Sequence, residues 1–248
     1  MDVAYRRQGA GEPILHLHGV GMTRRWLPFH EALSQYGDLV APEHPGFGDT
    51  PLPDWLEGFD DLVLHYAELA DLLDLGPLHL VGHSFGGWIA AEIAAFYPER
   101  LRSLTLIAPL GLRVPGHTPT DIFRMSRERY LDLCLNGRAD AYADQFDEGD
   151  ETLFQSYAEL TAFAKVAWNP RYDHKLDRRL GRVRCPAQVI AAQEDRILPR
   201  AHADRYAEIL GVAAVATVAG KDGPTGHGLI AQEAERTAEQ VATLIGGR

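Results

Sequence analysis

The sequence predicts an α/β protein: a mostly parallel central sheet flanked by helices, interrupted once by an inserted helical segment. Three observations carry this. Short apolar runs alternate with stretches whose apolar residues recur every three or four positions. The short runs are almost continuously apolar, as in strands covered on both faces. The alternation lapses from about Leu112 to Pro170 and then resumes.

Pro13-Ile14-Leu15-His16-Leu17-His18 reads as a strand broken by Gly19, and Asp38-Leu39-Val40-Ala41 as a second that ends at Pro42. Between them Trp26, Phe29, His30 and Leu33 have helical spacing. A longer helix follows through Phe59, Leu62, Val63, Tyr66, Leu69, Ala70 and Leu73, closed by Gly76-Pro77. Leu78-His79-Leu80-Val81 is a strand, Gly82 to Ser84 a turn, and Gly86 to Tyr97 a helix stopped by Pro98. Ser103 to Ala108 is the next strand.

The segment from Arg113 to Asn169 is helical in period and aromatic-rich, with Phe123, Tyr130, Tyr142, Phe146, Phe154, Tyr157, Phe163 and Trp168, and has no sheet-forming run. The alternation returns with a strand over Ala187 to Ala192, a helix over Arg200 to Leu210, a strand over Ala213 to Ala219 and a terminal helix from Leu229 to Ile245. One domain of 248 residues with an insertion is therefore expected: a core of 1–112 and 170–248, and an inserted unit of 113–169.

Composition narrows the function. With 35 acidic residues against 24 Lys plus Arg, the formal charge is -11, which repels phosphate backbones and anionic membranes. Arg178, Arg179, Arg182 and Arg184 form the one dense basic run, so no nucleic-acid or membrane partner is expected. Cys134 and Cys185 make neither a disulfide framework nor a CxxC metal site, and suit a reducing cytosol. The start, Met1-Asp2-Val3-Ala4-Tyr5, lacks the basic and apolar regions of a signal peptide, and no apolar run reaches membrane-spanning length. A soluble cytoplasmic protein, monomeric or a small homo-oligomer, is expected. The histidines are too scattered to suggest a metal site; His16 and His18 can share a strand face, but no acidic continuation supports a hydrolytic metal there.

Gly82-His83-Ser84-Phe85-Gly86 sits at the junction of an apolar strand and a helix. A serine on so sharp a turn projects its oxygen off the sheet, and flanking glycines leave room for the strained backbone and the close helix. The first amides of that helix point at the same place, which makes the backbone N–H of Phe85 a candidate donor to developing negative charge. His83 reads as a packing or hydrogen-bonding neighbour of the turn. A lone motif of this form also occurs as a structural turn, so its meaning depends on partners elsewhere in the chain.

Through Gly82-His83-Ser84-Phe85-Gly86 and the earlier His18-Gly19, the sequence resembles the α/β-hydrolase superfamily over nearly its whole length, in the serine-nucleophile branch. The resemblance implies nucleophile, acid and histidine in that order, with the acid after a late strand and the histidine after the last. Ser84, Asp195 and His227 occupy those places; Glu194 is the nearest rival acid and Asp222 a weaker one. It also implies a second oxyanion donor at the backbone N–H of Val20, the residue after His18-Gly19. His44-Pro45-Gly46-Phe47-Gly48 resembles the family's Pro-Gly-x-Gly turn, preceded by Glu43 and followed by Asp49, and its glycines read as structural.

The inserted segment resembles the family's helical cap. Met22, Trp26, Phe85, Leu110, Phe123, Phe146, Trp168 and Leu229 flank the implied catalytic loops or lie in the cap, and are expected to line the substrate pocket. Many cap aromatics have the simpler role of burying its underside. A serine, histidine and carboxylate together activate an otherwise poor nucleophile without any metal or organic cofactor.

The expected activity is hydrolysis of a small or medium ester with an apolar or aromatic part. Capped relatives use the same triad to cleave an activated carbon–carbon bond in a ketone or dienoate, which is the alternative. His83 stands where those relatives often have asparagine, and Gly228 where they commonly have tryptophan. Lactonase, thioesterase or amidase activity would need nearly the same residues. A small-ligand binding module that retains the triad is the non-enzymatic alternative. Dehalogenase or epoxide-hydrolase chemistry is disfavoured, because Ser84 replaces the aspartate nucleophile of those relatives.

Overall fold

The computed structural model describes residues 1–23, 25–146 and 152–246. Its centre is a seven-stranded sheet of β1 (Tyr5–Gln8), β2 (Pro13–Leu17), β3 (Asp38–Pro42), β4 (Leu78–His83), β5 (Leu101–Ile107), β6 (Ala187–Ala192) and β7 (Ala216–Val218). The strands lie in the order β1-β3-β2-β4-β5-β6-β7. All neighbours are parallel except β1 with β3. The inner strands are buried along nearly their full length, as their unbroken apolar sequences require.

The edge strand β1 has no counterpart in the sequence reading. Tyr5-Arg6-Arg7-Gln8 is mostly exposed and carries no apolar period. It is held instead by its ladder with β3 and by an ion pair from Arg7 to Asp38, and its charges protect an open sheet edge.

The helices in chain order are α1 (Pro28–Leu33), α2 (Phe59–Leu72), α3 (Phe85–Phe96), α4 (Arg127–Cys134), α5 (Ala143–Phe146), α6 (Thr152–Ala167), α7 (Leu176–Leu180), α8 (Ala201–Leu210), α9 (Leu229–Gln232) and α10 (Ala234–Ile245). One packed group contains α1, α9 and α10; another contains α2, α3, α7 and α8. The sheet is thus flanked by helices. Helix α3 is buried along all but its last residue, and Gly86, Gly87, Ala90, Ala91, Ala94 and Ala95 let it lie close to the strands. The expected single terminal helix is two, because Glu233 leaves helical geometry at φ -135°, ψ 59°. No glycine or proline marks this break. Glu233 is tied sideways, its Oε1 accepting from the Lys221 amide at 2.5 Å.

Between β5 and β6 the chain forms an inserted helical subdomain built on α4, α5 and α6. Its two ends meet where Gly111 bridges Tyr172 and the Asp173 amide donates to Gly111 O at 2.9 Å. The aromatics expected there divide by face. Phe163 packs on Phe85 with ring centroids 4.8 Å apart, and Phe123 stacks on Phe163 at 5.2 Å. Phe154, Tyr157 and Trp168 are instead 79%, 75% and 62% exposed.

Parallel pairing brings the functional loops together. Leu17 lies opposite Gly82, His83 opposite Ile107, and Ile107 opposite Ile190. The loop after β2, the turn after β4 and the loop after β6 therefore leave the sheet at the same edge, where open α/β sheets hold their ligands.

Candidate active site

Ser84 links β4 directly to α3 with φ 55° and ψ -114°, a conformation that costs a non-glycine residue strain energy. Surrounding bonds impose it. The Ser84 amide donates to Ile107 O at 2.9 Å, and Ser84 O accepts from the amides of Trp88 and Leu110. The flanking glycines are required by close approach: a Cβ at Gly82 would lie 2.4 Å from Gly86 O, and one at Gly86 would lie 2.1 Å from Leu17 O.

His227 Nε2 stands 2.7 Å from Ser84 Oγ, and His227 Nδ1 2.7 Å from Asp195 Oδ2. Asp195 Oδ1 accepts from the amides of Ile197 and Leu198 at 2.9 and 2.7 Å, which fixes the carboxylate. The carboxylate accepts from Nδ1–H, so Nε2 is left to accept the Ser84 hydroxyl proton. Of the three acids weighed from the sequence, Asp195 meets the imidazole, whereas Glu194 and Asp222 are exposed. Thr225 joins the acid and histidine loops: its hydroxyl accepts from the Gln193 amide and donates to Val218 O, and its carbonyl accepts from the Glu194 amide.

Five imidazoles around this edge are held neutral by burial. His83 is lowered to about 3, first by burial and then by His227, and its Nε2–H donates to His227 O at 2.9 Å. It holds His227 through its backbone carbonyl. His18 is lowered to about 4 by burial. Its Nε2 accepts from the His44 amide at 3.2 Å, so Nδ1 carries the proton and donates to Gly19 O at 2.8 Å. That carbonyl belongs to the peptide whose N–H is Val20's. His44, pushed well below its usual range by burial, donates Nε2–H to His18 O at 2.8 Å and accepts from the Tyr66 hydroxyl. His16 and His30 pair at 3.0 Å, Nδ1 to Nε2, both lowered by burial. Among the described residues no group of three or more His, Cys, Asp or Glu side chains could hold a metal ion.

The Pro-Gly-x-Gly turn is organised by Glu43, whose buried Oε2 accepts from the amides of Asp49 and Thr50. Gly46 and Gly48 take φ 81° and 58° there.

The expected pocket residues fall into three groups. Leu110 is bonded to Ser84 O, Met22 and Leu229 are buried beside the His227 loop, and Phe85 follows Ser84. Phe146 is buried under the cap and Phe123 half-buried against Phe163. Trp26 leans on His30 and donates to Glu31, while Trp168 touches Phe123 from an exposed position. A cavity of about 540 Å³ lined by Pro45, Trp55, Leu64, His65 and Glu68 includes no member of the triad. Beside Val20, under the cap, the space is about 30 Å³. The sequence reading missed two cap side chains that touch the loop after β2, Tyr130 and Glu159. They lie 110 and 138 residues from their partners, and no local pattern announces such contacts.

Among the described residues no helix is long and apolar enough to cross a membrane. The 2-hydroxy-6-oxo-2,4-heptadienoate hydrolase of Pseudomonas putida is 35% identical over 109 residues, 42% of this chain and 40% of that one. The pimeloyl-[acyl-carrier protein] methyl ester esterase of Aeromonas salmonicida is 36% identical over 160 residues, 58% of this chain and 62% of that one. The matched stretch thus spans less than two thirds of either relative. The solved meta-cleavage product hydrolase CumD of Pseudomonas fluorescens superposes with a TM-score of 0.78 at 23% identity, covering 98% of this chain and 94% of that one. The sequence pattern of the Alpha/beta hydrolase family matches residues 14–240. With that match over nearly the whole chain and a serine–histidine–aspartate constellation at the sheet edge, the chain belongs to the alpha/beta hydrolase family, in its serine-hydrolase branch with a helical cap.

Proposed function

We propose that the protein hydrolyses a small substrate with an apolar or aromatic part, through an acyl-enzyme on Ser84. The observation that carries this is the continuous chain Ser84 Oγ, His227 Nε2, His227 Nδ1, Asp195 Oδ2, with 2.7 Å at each hydrogen bond. His227 Nε2 takes the hydroxyl proton as Oγ attacks the substrate carbonyl, and Asp195 stabilises the imidazolium. The oxygen that gains charge is held by the amides of Val20 and Phe85. As the intermediate collapses, His227 returns the proton to the leaving group. Water then attacks the acyl-enzyme by the same route, releasing the acid and restoring Ser84. Leu110, Met22, Leu229, Phe123 and Phe146 form the apolar surroundings.

For the bond that is cleaved, the relatives support the carbon–carbon alternative over the carboxylesterase reading: the heptadienoate hydrolase and CumD are named for such substrates. The leaving group is then a stabilised carbanion, protonated at carbon. One observation favours the ester. Gly228 stands where carbon–carbon hydrolases commonly carry tryptophan, and a Cβ there would lie 2.8 Å from Leu135 Cδ2, so a side chain at this position requires Leu135 to shift.

Labelling with an active-serine phosphonate, read by intact mass, tests the shared mechanism: one adduct in wild type and none in Ser84→Ala. An unlabelled, inactive but folded wild type would remove the enzymatic reading in favour of ligand binding. The substrate class is decided by kcat/KM on 2-hydroxy-6-oxodienoates against short p-nitrophenyl esters and aryl lactones. Turnover of the dienoates at least tenfold better supports carbon–carbon cleavage, and the reverse order assigns the enzyme to esters.

A further inference from the structure

The peptide that follows the proposed oxyanion donor is gripped at both ends by the cap. Tyr130 on α4 donates its hydroxyl proton to Val20 O at 3.0 Å, and the Gly21 amide donates to Glu159 Oε2 on α6 at 3.2 Å. Val20 C=O and Gly21 N–H belong to one planar amide, so two cap side chains fix one plane from opposite edges. The preceding amide, Gly19–Val20, is held through its carbonyl by His18. With both planes fixed, the direction of the Val20 N–H between them is set.

The supports are themselves built in. Tyr130 and Glu159 are 8% and 4% exposed, and the tyrosine ring lies against Gly21, where an added Cβ would come within 3.3 Å of it. Gly21 sits at φ 73°. Gln155 on α6 donates to Glu159 Oε1 and to Gly48 O, which joins the same helix to the Pro-Gly-x-Gly turn. Helix α4 and the turn after it also hold the loop that bears the base. The Gly228 amide donates to Cys134 O, Asn136 donates to Pro224 O, and Gln232 donates to Leu135 O.

We propose that Tyr130 and Glu159 are positioning residues that make the oxyanion hole depend on the cap being closed. This rests on the reading of Ser84 as nucleophile and Val20 as donor. Ser84 is 3% exposed and His227 fully buried, with about 30 Å³ of space beside Val20, so the described residues of the cap are closed over the site. Displacing α4 and α6 breaks both bonds to the Val20–Gly21 amide; reclosure restores them. The donor is therefore aligned only after substrate is enclosed.

The test compares Tyr130→Phe, Glu159→Ala and Glu159→Gln in the full-length protein, with substrate kinetics and inhibition by a trifluoromethyl ketone whose adduct places an oxyanion in the hole. Tyr130→Phe and Glu159→Ala are expected to lower kcat by about 10- to 100-fold, less than loss of a donor itself, with KM within about threefold of wild type. The ketone should weaken by the same factor. Glu159→Gln keeps an acceptor oxygen and should stay within about threefold of wild type. The double variant Tyr130→Phe/Glu159→Ala should lose less than the product of the singles, since both act on one amide. Wild-type kcat and ketone affinity in both Tyr130→Phe and Glu159→Ala, or a loss confined to KM, would overturn the proposal. If Tyr130→Phe does not fold, the contrast between Ala and Gln at 159 decides alone. Failure of the underlying site is separate: a wild type inert to both phosphonate and ketone, or an active Ser84→Ala.

Discussion

Acidification from pH 7.5 to 5 is expected to cost the fold about 6 kcal/mol from four buried imidazoles and Glu92. His16 and His44, also lowered by burial, act in the same direction as the four. His18 and His65 are lowered to about 4, and His30 and His83 to about 3, burial being the first cause for each. In the unfolded chain each returns to about 6.5. Between those values the unfolded state binds more protons, so their stabilisation is complete above about pH 6.5 and is lost as pH falls toward the folded values. At pH 5 the loss is about 2 kcal/mol per imidazole, about 8 kcal/mol for the four. Glu92 acts in the opposite sense. Burial pushes it up to about 7, so the folded state takes up a proton as pH falls while the unfolded chain stays mostly ionised, a gain of about 2 kcal/mol over the same range. The net loss is a large part of the 5–15 kcal/mol by which single domains are typically stable. Urea unfolding followed by far-ultraviolet circular dichroism at pH 7.5, 6.5, 5.5 and 5 measures it. The same series on His65→Leu should show a shallower decline, since both ring nitrogens of His65 lack a hydrogen-bond partner among the described residues. An unfolding free energy that stays level between pH 7.5 and 5 would refute the assignment of these histidines as neutral.

Three further outcomes follow from the site. Asp195→Asn should lower kcat by about 10³- to 10⁴-fold by leaving the wrong imidazole tautomer, while Glu194→Gln stays close to wild type; equal losses on the substrate panel would contradict the assignment of the acid. His227→Ala should reduce kcat by about four to six orders of magnitude with the melting temperature little changed, and retained turnover would eliminate it as the base. Gly86→Ala should destabilise by about 1–3 kcal/mol and also suppress phosphonate labelling of Ser84, because its Cβ would meet Leu17 O at 2.1 Å; a wild-type melt and full labelling would show that the turn tolerates the shift.

The sheet edge was legible in the sequence because local chemistry marks each part of it. Leu78 to Val81 is apolar apart from His79, Gly82 and Gly86 flank Ser84, and glycines flank His227. These features are written in adjacent residues, even though the close approaches that require Gly86, Gly226 and Gly228 are to Leu17, Cys134 and Leu135. What escaped depends on contacts that close only in three dimensions. β1 is defined by its ladder to β3 rather than by apolar residues of its own, and the break at Glu233 by a bond to the Lys221 amide. The aromatic content of the cap was plain, but not its orientation: Phe163 faces Phe85 while Phe154 and Tyr157 face outward on the same helix. Residue type shows which side chains are able to cover a nucleophile. It does not show which of them the helix rotation selects.

Core and cap therefore constrain function differently. The sheet edge sets the chemistry: strand register alone places Ser84, and two loops bring His227 and Asp195 to it. Such a frame serves an ester, a lactone or an activated ketone equally well, since each presents a carbonyl carbon to the same oxygen. In the proposed reading, substrate choice belongs to the surfaces that meet the rest of the molecule, with Phe123, Phe146 and the underside of α4 and α6 as the candidates. Through Tyr130 and Glu159 those helices also touch the loop of the proposed oxyanion donor. A cap substitution that changes how α4 or α6 seats is then coupled to rate as well as to selectivity. In this molecule, altering the cap for a new substrate requires that Tyr130 and Glu159 keep their hold on the Val20–Gly21 amide.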